Sequence, residues 1–304
     1  MIHDARIELT LPSQEDLREH SEHCSADPRL LAALGARLGG QLRLRRTGGR
    51  DALFTVSEVR EEDRPEIVRA GLIGRRRLGT DEPSDGVAST PAADPKLSEC
   101  QAEDRDELVE RLDDDDVTRR GLVVIAPHGG DIESHTDDQA ERVAKCLSAA
   151  GVTLWRCKGW GDAFDRWHIT SVDLDPASFP LLGSLMDRRF RNAVAFHGFR
   201  NDEVLIGGTA SPALKRRVRD AIADAVEGIV VRVARPDDRF GGDNPCNIVN
   251  RLTAGWRGGV QIEQGLTIRR QHGDVIAAAV AGVYARRLRH PLTVTAFPGH
   301  AGRS

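Results

Sequence analysis

Lysine is scarce in this 304-residue chain. Only four of its 43 basic residues are lysines, at positions 96, 145, 158 and 215, so arginine carries almost all the positive charge. The planar guanidinium fork suits bidentate grip on carboxylates. A surplus of positive charge is also missing. The net charge is −4, which excludes the broad basic surface of a nucleic-acid binder. No window approaches the roughly 20 apolar residues of a membrane span. The N-terminal stretch MIHDARIELTLPSQ has acidic residues early and no apolar run of signal-peptide length. The expectation is a soluble, cytoplasmic protein without a membrane partner, leaving the cell by lysis if at all. The five cysteines (24, 100, 146, 157 and 246) form no CxxC pair and are odd in number. They read as free thiols of a reducing compartment rather than a disulfide framework. No repeat period is visible.

What is present divides the chain into three. Residues 1–78 read as a small α+β module. Ile7, Leu9 and Leu11 alternate as in a half-buried strand, SQEDLREHSEHCSADPRLLAALGARLGG suggests one or two short helices, and QLRLRRTGGRDALFTVSEV gives two strands about a Gly-Gly turn. AGLIGRRRLG is a plausible third strand. Residues 79–119 read as a polar linker rich in Pro, Ser, Ala and Asp, followed by a charged helix running into Asp113–Asp116. Residues 120–304 alternate strand and helix. GLVVIAP, VTLWRC, HITSVDL, NAVAFHG, IVVRVA and GGVQIEQG are the strand candidates. DDQAERVAKCLSAAG, SPALKRRVRDAIADAVEG and QHGDVIAAAVAGVYARRLR are the helices. This alternation predicts an α/β domain with a parallel or mixed sheet flanked by helices, whose sites gather at strand carboxyl ends.

The chemistry concentrates at those ends. In LVVIAPHGGDIES, His128 follows a buried strand, and a glycine turn at 129–130 can return Glu133 to its side. A strand-end histidine is more often a satisfied polar residue than a ligand. NAVAFHG, however, repeats the event and sets His197 at the end of a second strand. Two such histidines and a carboxylate make the His2Glu set of catalytic zinc sites, which leave a fourth position open. Glu263 in VQIEQG sits mid-strand among apolar residues, where a carboxylate is costly unless it has a partner or a task. It is either the salt-bridge partner of an arginine or a general base.

APHGGDIE, then WHITS, then FHGF, then GGVQIEQ resemble the phage-type poly-γ-glutamate hydrolases, zinc enzymes of carboxypeptidase-like fold. The likeness covers residues of about 120 to 290, in the family's order and spacing. It implies a Zn²⁺ ion held by His128, Glu133 and His197, with Glu263 in the place of the carboxypeptidase-type general base. His168 in WHITS matches a family histidine near the active site that touches substrate. Residues 1–120 lie outside the likeness, and KGWGDAFDRW before His168 departs from the family loop that can set specificity. An acidic polymer or peptide substrate needs cations. Arg200 is placed to stabilise the oxyanion, and Asn247, Asn250 and Arg251 of DNPCNIVNRL offer contacts for carboxylate and amide groups. The implied activity is zinc-dependent hydrolysis of γ-glutamyl amide bonds. The alternatives are an amidohydrolase of a small acylated amino acid and a non-catalytic phage or binding protein with a vestigial metal site.

Overall fold

In the computed structural model, residues 1–289 are described and build two sheets. The first is a closed barrel of six strands, β1 (Ile2–Glu8), β2 (His23–Ala26), β3 (Gln41–Arg46), β4 (Asp51–Val59), β5 (Ile67–Ala70) and β6 (Ser84–Ser89), in the order β1-β5-β2-β4-β3-β6. Pairing of β6 with β1, from Ile2↔Ser89 to Ile7↔Ser84, closes the ring and removes its edges. Ala5 and Ile7, Leu42 and Leu44, Phe54 and Val56, and Val68 and Ala70 alternate inward to fill it. Three short helices, α1 (Glu15–Glu19), α2 (Pro28–Leu34) and α3 (Leu72–Arg77), lie between the strands.

The second sheet has seven strands, β7 (Leu108–Asp113), β8 (Val123–Gly130), β9 (Thr153–Gly159), β10 (Ala193–Phe199), β11 (Val204–Gly207), β12 (Val231–Val233) and β13 (Gly259–Gly265), ordered β12-β11-β13-β10-β8-β9-β7. Its middle strands β13, β10, β8 and β9 are parallel, whereas β11 runs antiparallel to β13, with β12 parallel to β11, and β7 runs antiparallel to β9. This is the expected mixed sheet flanked by helices. The helices are α4 (Glu99–Asp104), α5 (Thr136–Cys146), α6 (Ala163–Trp167), α7 (Pro180–Gly183), α8 (Pro212–Ala223), α9 (Ile248–Arg251) and α10 (Leu266–Arg289). Val124 and Ala126, Val194 and Phe196, and Val260 and Ile262 point to the face covered by α5, α8 and α10. Val123, Ile125, Ala193 and Ala195 point to the other face. There the cover is made of short helices, irregular chain and Leu53 of the barrel.

Several segments depart from the expectations drawn from sequence. Residues 72–77 are helical rather than a strand. The arginine run offers no alternating apolar face, and buried Arg75 and Arg77 donate to the carbonyls of Ala70 and Leu53, each at 2.6 Å. The 79–119 segment is not a linker. Ser84–Ser89 bonds to two barrel strands, and Leu108–Asp113 adds an edge to the large sheet. Ladder hydrogen bonds hold both strands despite their polar composition. Glu110 on β7 is moreover buried, accepting from Trp155 Nε1 at 2.8 Å. Leu9 lies beyond β1 and is exposed. HITSVDL forms no strand, because its backbone groups bond to side chains from elsewhere in the fold. Residues 290–304 of the expected third domain lie outside the described residues.

The two units share a wide polar seam. Arg166 donates to the Asp51 carboxylate and carbonyl at 2.5 and 3.0 Å. Arg37 grips Asp175 through two bonds of 2.9 and 2.8 Å, and Gln41 bonds to Asp173, Asp175 and Ser178. The barrel thus packs on residues 162–178, helix α6 and the irregular stretch after it.

Candidate metal centre

Three adjacent parallel strands, β8, β10 and β13, deliver His128, His197 and Glu263 near their carboxyl ends. His197 and Glu263 are register partners on neighbouring strands and so share a face. Strict alternation from Ala126 would send His128 to the helix side. The register of β8 on β9 slips between Ala126 and Gly129, and His128 lies instead against His197. Gly130 then turns the chain with φ +66°, and Glu133 donates its N–H to the His128 carbonyl at 2.9 Å. The tight turn expected from the glycine pair therefore sets Glu133 beside His128.

The donor atoms converge. His128 Nδ1 lies 3.1 Å from Glu133 Oε1, His197 Nδ1 lies 3.3 Å from Glu133 Oε2, and the two Nδ1 atoms are 3.3 Å apart. Ligands bonded at about 2.1 Å around a tetrahedral cation stand roughly 3.4 Å from one another, so the set fits zinc. The outer nitrogens are engaged as ligand histidines require. His128 Nε2–H donates to the Ile169 carbonyl at 2.9 Å, which leaves the Nδ1 lone pair facing the cluster. His197 Nε2 meets Ser171 Oγ at 3.4 Å. All three donor residues are buried. Burial opposes charge on each of them. Attraction between Glu133 and His128 overcomes it for that pair, holding Glu133 well below the ordinary carboxylate range and raising His128. At His197 burial prevails and lowers the pKa.

Glu263 stands beside this cluster. Burial, reinforced by the negative charge of Glu133, pushes its carboxyl well above the ordinary range. It accepts from Gln261 Nε2 at 2.8 Å, and Gln261 Oε1 in turn accepts from Asn247 Nδ2 at 2.7 Å. Asn247 therefore reaches the site through Gln261. Arg269, in the first turn of α10, escapes sequence reading. It is buried and donates to the Ser134 and Gln264 carbonyls at 2.8 Å each, tying the Glu133 loop to β13. Gly198 makes room for it, since a Cβ there would collide with its guanidinium. Gly198 N–H also donates to Glu133 Oε2 at 2.9 Å. An arginine in the first turn of a helix opposes the helix dipole, and that misplacement is the signal that could have found it.

The remaining candidates separate. His168 packs its ring 4.4 Å from that of His128, with Nε2 3.8 Å from Glu133 Oε1. With His128 and Glu133 it forms a second set of three donors within 4.8 Å of one another. Arg200 is exposed just beyond the end of β10. Arg251 is partly exposed and donates to the Leu174 carbonyl at 3.0 Å. Asn250 departs from its expected substrate role. It is fully buried, and its amide is saturated by the Gly242 and Asn244 carbonyls and by Thr209. It fastens loops together and has no group left for a ligand. Among the described residues no helix is long and apolar enough to cross a membrane.

A family model described as poly-gamma-glutamate hydrolase matches residues 96–276. The SPbeta prophage-derived UPF0714 protein YoqZ of Bacillus subtilis (strain 168) is 30% identical over 159 residues, which span 51% of this chain and 53% of that protein. The chain thus spans about half the length of this curated relative. Among solved structures, a bacteriophage poly-gamma-glutamate hydrolase aligns with 59% of this chain and 88% of its own, at 25% identity and a TM-score of 0.49. The zinc-free apo form of YNDL aligns with 60% and 89%, at 21% identity and a TM-score of 0.43.

Proposed function

The chain belongs to the poly-gamma-glutamate hydrolase family, and on that premise we propose that it is a zinc-dependent hydrolase of γ-glutamyl amide bonds in poly-γ-glutamate or a related acidic peptide. The observation that carries the reading is the convergence of His128 Nδ1, His197 Nδ1 and the Glu133 carboxylate within 3.3 Å, with Glu263 beside them. Two imidazole lone pairs and a carboxylate brought together out of water need a proton or a metal cation among them, and the tetrahedral spacing of the three donors suits the metal.

Zinc held by these side chains would polarise the scissile carbonyl and lower the pKa of water towards about 7. Glu263 carries the proton. It takes one from the attacking water as the oxygen adds to the carbonyl carbon, and gives it to the leaving nitrogen as the C–N bond breaks. Gln261 and Asn247 hold that carboxyl in place. Arg200, exposed past His197, is assigned to the negative charge that develops on the carbonyl oxygen. Arg251 and His168 are assigned to contacts with the substrate. Incubation with poly-γ-glutamate, with and without a chelator, followed by product sizing and metal analysis, tests the reading. Chain shortening that stops on chelation and returns with zinc is the expected result. A protein that takes up zinc yet leaves the polymer intact would move the substrate to a small acylated amino acid. One that cannot take up zinc would be a binding protein only.

A further inference from the structure

Glu22 lies in the turn before β2, in the barrel and outside the span shared with the family. Its side chain crosses the seam. One carboxylate oxygen accepts from His168 Nδ1, and the other accepts from the Thr170 N–H at 2.9 Å. A carboxylate can only accept, so His168 must carry its proton on Nδ1. Glu22 is itself fixed to β4, its carbonyl accepting from Thr55 N at 2.7 Å. Arg77 secures the same junction, donating to the His168 carbonyl at 3.0 Å and to that of Ser21 at 3.2 Å. Phe164 stacks on the imidazole at 4.6 Å. The ring is thereby oriented with Nε2 towards Glu133. Ile169 and Ser171, which bond the outer nitrogens of His128 and His197, belong to the same held segment.

We infer that Glu22 is a positioning residue: through His168 and Thr170 the barrel sets the imidazole, and with it one wall of the metal centre, so that the active site is completed by a unit the family span does not contain. Burial alone would raise the Glu22 carboxyl. The bond and charge of His168, the charge of Arg77 and the Thr170 N–H together outweigh it and bring the group down to about 2, so the acceptor stays ionised. The inference rests on the hydrolase reading for its kinetic consequence, though its geometric part stands apart from it.

The test uses the full chain with Glu22→Ala, Glu22→Gln, His168→Ala and the double variant Glu22→Ala/His168→Ala. Four quantities are read: kcat and KM on poly-γ-glutamate, zinc content, melting temperature, and the imidazole nitrogen signals of ¹⁵N-labelled histidine. Glu22→Ala should lower kcat/KM by roughly 10–100-fold, the usual worth of a partner that orients an active-site histidine. Zinc content should stay near wild type, and the His168 signals should leave the Nδ1–H pattern. In the His168→Ala background the same change should cost nothing further, because the two residues act as one unit. Glu22→Gln keeps the volume and serves if the alanine variant is unstable, because its single amide oxygen cannot accept from both His168 Nδ1–H and the Thr170 N–H, and kcat/KM should still fall. Losses that multiply in the double variant, His168 signals unchanged in Glu22→Ala, or a wild-type kcat/KM in Glu22→Gln would overturn the inference. Wild-type protein that leaves the polymer intact would instead sink the polymer reading, with the imidazole signals still deciding whether Glu22 holds the ring.

Discussion

Glu263 has no ion-pair partner among the described residues, and the one hydrogen bond its carboxylate accepts is from Gln261. The salt bridge that its sequence left open is therefore not made at contact distance, although the charge of buried Arg269 is near enough to draw its pKa down. A carboxyl whose folded-state pKa is raised contributes stability that is present at low pH and lost as pH rises above its ordinary 4.5. At neutral pH the carboxyl therefore weakens the metal-free fold. Glu263→Gln removes the titrating group and keeps the bond geometry. The metal-free variant should melt no lower than wild type, zinc binding should persist, and turnover should fall by about 10²–10⁴-fold. A substantial drop in melting temperature would restore the structural role. At this scale the ligand set was legible because each ligand sits next to a local signal, a strand end and a glycine turn. Glu22 had no such signal, since its importance comes from partners far away in sequence, and Arg269 showed only its place against the helix dipole.

The end of β8 and its connection to α5 bear two of the three ligands, His128 and Glu133, and the turn between them depends on Gly130. A Cβ there would lie 2.5 Å from the Gly159 carbonyl oxygen of β9, in a backbone conformation that L side chains rarely adopt. Gly228 also has a positive φ, +75°, but nothing within 4 Å of its would-be Cβ. The pair separates backbone strain from crowding. Gly228→Ala should cost about 1 kcal/mol, while Gly130→Ala should cost about 2–4 kcal/mol by adding overpacking to the same strain. Only the second should lose zinc, as measured by denaturant midpoints and metal content on the same samples. Equal costs with full zinc retention would mean that the turn tolerates a side chain.

Across the whole molecule, the barrel and the large sheet meet through charges and apolar contact together. His23 on the barrel bonds Asp173 and Asp16 at 3.0 Å each. The Asp173 bond chiefly raises its pKa, from 6.5 to about 8. A histidine raised in this way contributes stability that is fully present below pH 6.5 and lost as pH rises through 8. Thermal melts across that window should show wild type losing stability and His23→Gln running flat, with parallel curves counting against the bridge. Deleting residues 1–95 would also strip Leu53, Ala92 and Ala93 from the core under the sheet, and Glu22 and Arg77 from the segment 165–170. Such a chain should aggregate or melt without cooperativity. A soluble truncated protein that unfolds as sharply as the whole and holds zinc would show the units to be separable.

Periodicity and punctuation are local properties, and what they encode was readable in advance: the strand–helix alternation after residue 120, the Gly-Gly hairpin, and the strand-end histidines with their carboxylate. Closure of the barrel by Ser84–Ser89 and the edge strand Leu108–Asp113 were not readable, because backbone ladders stabilise both and side-chain pattern does not announce a partner. The irregular course of 168–174 has the same origin, its polar groups being satisfied by Glu22, Arg77 and Arg251 across the fold. The sequence by itself determined which side chains can ligate. The tertiary structure alone decided that Arg269 anchors the ligand loop, that Asn250 is spent on backbone, and that the barrel reaches His168. Those roles depend on distances between residues remote in the chain, and such distances exist only after folding.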